Sequence, residues 1–180
     1  MNAPFTQPLT NRELRWLRHI AVHGAQSSEF LLKLCADTHS CRDTGLRTLQ
    51  KLRETGYLRL PPQQRQIAKA EFNPYVYDLT PQSKRYLKGL GDPATIRPTG
   101  HWWHGFLTSN ITSAIDIAAQ RKGCRFIPAH EILARSDATL AIPTRTGNLI
   151  PDQLFAIKNN NIPKVFPFEI IFFLKKKLFI

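Results

Sequence analysis

Apolar residues recur at helical spacing three times in the first third of the chain. In LTNRELRWLRHIAVHG, Leu14, Leu17 and Ala21 share one face. Thr10 and Glu13 stand three apart at its start, the spacing of a capping box, in which each side chain satisfies an orphan amide of the first turn. Gly24 closes the run. A shorter helix is expected in SSEFLLKLC, capped by Ser27 or Ser28. A third follows in RDTGLRTLQKLRETGYL, with Leu46, Leu49 and Leu52 as its apolar stripe and Gly56 as its stop. The pattern then changes. YLRL and YVYDL read as strands, joined by the long polar loop PPQQRQIAKAEFNP. TPQSKRYLKGLG is a further helix, with Thr80 as cap and Pro81 in the first turn.

Three helices, a strand, a loop, a strand and a helix follow the order of a winged helix-turn-helix. In that fold the third helix enters the DNA major groove and the loop between the strands, the wing, lies on the backbone. Thr44, Arg47, Thr48 and Lys51 fall on one face of the third helix, opposite its leucines, and Arg42 lies at its start. Cations for phosphates and base acceptors, with short hydroxyls that allow close approach, are what such a reader needs. Arg65 and Lys69 give the wing two cations. The net charge of +12 strengthens the picture, because it favours a polyanionic partner. Double-stranded DNA is the partner this half implies, whether the chain acts alone or as a homodimer. A basic, merely solvated helix face looks the same in sequence.

Glycines and prolines in GLGDPATIRPTGHWW mark a linker, so two domains are expected, 1–98 and 99–180. The second half opens on an aromatic-rich helix reaching about Gln120, with Trp102, Trp103 and Phe106 as its core side. CRFIPAHEILAR reads as a short strand running into a helical turn that bears Glu131. Two further strand-like runs, LIPDQLFAIK and KVFPFEIIFFL, flank an Asn run that signals a hairpin. If Asn160 and Asn161 form a two-residue turn, Asp152 falls directly opposite Glu169. Opposed carboxylates repel, and a shared divalent cation would explain their placement. If the register is shifted by one residue, Glu169 is simply solvated.

Other chemistry is thinner. The three cysteines show no CxxC spacing, which argues against a zinc site or disulfide framework and fits a reducing cytoplasm. No apolar run is long enough to span a bilayer. His19 and His23 are four apart and could in geometry share a metal, but no acid lies between them, so one is expected to pack and the other to be solvated. His101 and His104 are read the same way.

LTNRELRWLRHIAVHGAQSSEFL, TLQKLRETGYL, YVYDLTPQSKRYL, HWWHG and LIPDQLFAI…FPFEI, in this order, resemble the replication-relaxation family of plasmid and mobile-element proteins. The resemblance runs from about Leu9 to Glu169 and implies DNA binding in replication, relaxation or mobilisation. It also implies a PD-(D/E)xK nuclease-like second half, in which Glu131, Asp152 and Glu169 would bind Mg²⁺. The lysine of that motif would stand at Ile171, and an aliphatic side chain can neither orient nor activate water. From about residue 171 the chain reads IFFLKKKLFI, an aberrant tail where a covering layer is expected, so the nuclease-like domain is read as C-terminally truncated. The expected whole is an α+β protein: a winged helix-turn-helix followed by an incomplete α/β nuclease-like domain. DNA binding itself requires no cofactor. A metal-dependent endonuclease and a winged-helix regulator with a dimerising or ligand-binding half remain the alternatives.

Overall fold

A computed structural model describes residues 8–38, 41–66, 74–92, 101–135, 139–159 and 162–168. Helix α1 (Asn11–His23) begins with the expected capping box, Thr10 accepting from the Glu13 amide while the Glu13 carboxylate accepts from Thr10. A two-residue strand β1 (Gln26–Ser27) leads into α2 (Ser28–Leu34), and α3 (Arg42–Glu54) follows. Strands β2 (Leu58–Arg59) and β3 (Val76–Leu79) precede α4 (Pro81–Gly89). β1 is an element too short for any periodicity to announce. It pairs with β3, so the sheet has order β1-β3-β2, all antiparallel.

The core of this half is apolar and closed. Trp16, Leu17, Ile20, Leu31, Leu49, Leu52 and Leu79 are all essentially inaccessible. The buried Trp16 indole donates to the Leu31 carbonyl at 2.7 Å, which ties α1 to α2 without an orphan polar atom. The loop after β2 is not simply polar. Residues Pro62–Arg65 make a 3-10 turn, and the buried Gln64 amide accepts from Val76 N at 2.9 Å and donates to Val76 O at 3.1 Å. One side chain thus closes both main-chain valences of the first residue of β3, as a neighbouring strand would.

Helix α5 (Trp102–Arg121) spans the expected range but is turned the other way. Trp102, Trp103 and Phe106 form a half-exposed aromatic cluster at its start, not its core side. The buried face is Thr108, Ser109, Thr112, Ser113, Asp116 and Ile117, while Leu107 and Ile111 are exposed. Ile117 joins the core around Trp16, so the two expected halves meet along this helix.

Next come β4 (Arg125–Pro128) and α6 (Ala129–Leu133), then a β-hairpin that the sequence pattern did not predict, β5 (Ile142–Thr144) and β6 (Gly147–Leu149), and finally β7 (Gln153–Asn159) and β8 (Ile162–Phe168). The second sheet has order β4-β7-β8 and is antiparallel. Asn159 pairs with Ile162 and Gln153 with Phe168, the register of a two-residue turn. Pro163 and Pro167 lie on β8, the edge strand among those described, where a missing amide disturbs the ladder least. Phe126, Phe155 and Phe166 stack across the three strands at 5.3 and 5.6 Å. Among the described residues no helix is long and apolar enough to cross a membrane.

Candidate nucleic-acid interface

Gly45, Leu49 and Leu52 seat α3 on the core, and this leaves the opposite face outward. Thr44, Arg47 and Lys51 are exposed there. The side chains of Arg47 and Lys51 make no hydrogen bond or ion pair with any described residue. Two long cations held on a rigid helix with no ion-pair partner among the described residues make a ready phosphate-binding surface.

Among the other expected DNA-binding residues, Arg42, Thr48 and Arg65 are already engaged. Arg42 forms an ion pair with Glu29. The Thr48 hydroxyl donates to Thr44 O at 2.9 Å and accepts from Arg12 Nη2 at 3.2 Å. Thr48 therefore fastens α3 to α1 rather than facing outward. Arg65 lies over the Tyr75 ring, its guanidinium carbon 4.7 Å from the centroid, while Lys69 lies outside the described residues. The cation–π contact holds that guanidinium against the ring.

Cys41 caps the start of α3 and is exposed. Hydrogen bonds from the Thr44 side chain and main chain hold its thiol below the usual range. Cys35 is buried, and burial pushes its thiol up to about 11. Thiolate is the reactive form, so a maleimide added at neutral pH should label Cys41 well before Cys35. Peptide mass spectrometry over a time course reads this directly, and early labelling of Cys35 would show that the core is looser than described.

Two of the three carboxylates expected to hold Mg²⁺, Asp152 and Glu131, lie among the described residues. Asp152 sits at a bend just before β7, with Oδ1 2.8 Å from His104 Nε2. Glu131 on α6 forms an ion pair with Arg125. Glu169 and Ile171 lie outside the described residues. Mg²⁺ demands several oxygen ligands in near-octahedral array. Each of the two described carboxylates instead faces a nitrogen partner, and among the described residues neither belongs to a group of three metal-binding side chains. No chemical step follows from this pair. His101 is exposed.

The histidines of α1 depart furthest from what their spacing predicts. Both are buried, not one, because α5 lies over them with a hydroxyl- and carboxylate-bearing face. His23 Nε2 is 2.9 Å and His19 Nδ1 3.5 Å from Asp116 Oδ2. Their other ring nitrogens meet Thr112 Oγ1 at 3.0 Å and Ser113 Oγ at 2.7 Å. Burial, reinforced by the neighbouring His23, lowers His19 to about 3, so its imidazole is neutral. For Asp116 burial acts upward, but the hydrogen bond and charge of His23, with Gln120 and His19, bring it net below the usual carboxylate range. The detectable signal was a Ser/Thr/Asp stripe at 109, 112, 113 and 116, at the same helical spacing as the two histidines.

The described elements define a mixed α+β protein whose α3 carries an outward cationic face. The chain belongs to the replication-relaxation family, whose model matches residues 17–173. That span takes in α3, α5 and both strands of the β7–β8 hairpin. Membership points to a role in plasmid or mobile-element replication or relaxation. No curated protein and no solved structure matches the chain.

Proposed function

We propose that residues 1–98 act as a winged helix-turn-helix that binds double-stranded DNA during replication or relaxation of a plasmid or mobile element. Helix α3 enters the major groove, and the loop between β2 and β3 follows the backbone. The observation that carries this reading is the pair Arg47 and Lys51, exposed and unpaired among the described residues on the helix whose other face is locked into the core. The antiparallel order β1-β3-β2 and the element order around it support the same reading. Residues 99–180 serve as the accessory half, joined to the DNA-binding half through α5.

Phosphate neutralisation supplies most of the affinity in such a complex, so binding falls steeply with salt, the logarithmic slope being about −0.9 per phosphate neutralised. Fluorescence anisotropy with a labelled duplex at several salt concentrations tests this. A slope shallower than about −2 would leave no room for α3 and the wing to act together and would count against the interface.

A further inference from the structure

We propose that His19, His23 and Asp116 form a binding site for a transition-metal ion of zinc type, bracing α1 against α5. This site is independent of DNA binding by α3. One ligand atom from each residue lies within 4.8 Å of the others. Two of those separations are 2.9 and 3.5 Å, both ending on Asp116 Oδ2. Bonds of about 2.0–2.1 Å to a tetrahedral ion set ligand atoms about 3.3 Å apart, so small shifts suffice to receive one.

Hydrogen bonding around the cluster orients its donors. The Thr112 hydroxyl gives its proton to the main chain, at 3.1 Å from Thr108 O and 3.2 Å from Ser109 O. In that arrangement it accepts from His23, and that ring's proton sits on Nδ1. Nε2 then turns its lone pair toward a carboxylate oxygen. Two lone pairs facing each other 2.9 Å apart repel, and an ion held by three donors relieves that repulsion. The outer partners are those of metal sites, in which each imidazole gives its second N–H to an oxygen and the carboxylate is itself hydrogen-bonded. Thr112 serves His23, Ser113 serves His19, and Gln120 Nε2 donates to Asp116 Oδ1 at 2.9 Å.

Two imidazoles and one carboxylate suit zinc, with a fourth position for water. Asp116 borders a cleft of about 350 Å³, shared with Arg18, Gln120 and His130, from which water can enter. His130 also lines the small pocket beside His23, and its Nδ1 is buried with no hydrogen-bond partner among the described residues. Such an atom fits a site that holds a water.

The test uses the full chain, stripped with chelator and titrated with Co²⁺, then Zn²⁺. One equivalent of Co²⁺ should give the visible absorption of a low-symmetry four-coordinate ion, and Zn²⁺ should displace it and raise Tm. His23→Ala and Asp116→Asn should each weaken binding by more than the roughly 10–100-fold typical of losing only an outer partner, the loss expected of Thr112→Val. Asp116→Asn guards against misfolding as an explanation, because its amide can donate to His23 Nε2. It should match the stripped parent in Tm yet gain nothing from Zn²⁺. Cys41→Ser and His104→Ala, outside the cluster, should bind as the parent does. No stoichiometric Co²⁺ spectrum would overturn the proposal and leave a proton as the bridging charge. A spectrum unchanged by Asp116→Asn, or lost in His104→Ala, would place the ion elsewhere and overturn it equally.

Discussion

Replacing Arg47 and Lys51 together by Ala should cut affinity for duplex DNA by roughly 10–100-fold at moderate salt, and should flatten the salt dependence by about one unit of slope for each phosphate no longer neutralised. What holds each side chain decides the size of the effect. Arg47 and Lys51 have no intramolecular partner among the described residues, so no existing bond must break for either to reach DNA. Thr48→Ala provides the contrast. Its hydroxyl is committed to Thr44 O and Arg12, so its removal should leave affinity nearly unchanged. Arg42→Ala should fall between, since an exposed ion pair such as that with Glu29 costs only about 0–1 kcal/mol to give up. Anisotropy titrations of the variants, with circular dichroism to show intact helix content, check the ranking. An unchanged affinity in the double variant would mean that α3 is not the reading helix.

That ranking also shows where the sequence was legible. The apolar stripe of α3 predicted its buried side, because the stripe packs against apolar partners and periodicity is then a faithful guide. The β7–β8 register followed from the Asn turn, because a two-residue turn leaves one alignment. Thr44, Arg47, Thr48 and Lys51 are equivalent in the helical pattern, which does not contain the reach of Arg12 across to Thr48. Helix α5 defeated the same method for a stronger reason. Most of its buried side is hydroxyls and a carboxylate, satisfied by His19, His23, Gln26 and the Ala25 carbonyl, with Ile117 beside them, while Leu107 and Ile111 face outward. A rule that equates apolar with inside turns such a helix around. The burial of His19 and His23 is hidden for the same reason, since it depends on which side α5 presents.

The close approach of α5 depends on one residue, and Gly24→Ala should destabilise the protein by about 2–4 kcal/mol. Gly24 ends α1 with φ 108° and ψ −165°, a conformation that is essentially restricted to glycine. A Cβ there would also lie 3.2 Å from Ser109 Oγ. That hydroxyl cannot simply swing away, because it donates to Ala25 O at 2.8 Å and accepts from Gln26 Nε2. Backbone strain and crowding therefore act together, at the start of the polar seam that continues to His23 and Asp116. For a chain of this size the destabilisation corresponds to a Tm lower by roughly 5–15 °C. Gly105→Ala should do the opposite. It lies within α5, no atom stands within 4 Å of the Cβ it would gain, and Ala is favoured over Gly there by about 0.5–1 kcal/mol. Thermal melts of the two variants should move in opposite directions. If Gly24→Ala melts with the parent, α5 does not approach α1 as closely as the structure places it, and the seam between the two halves is looser than its hydrogen bonds imply.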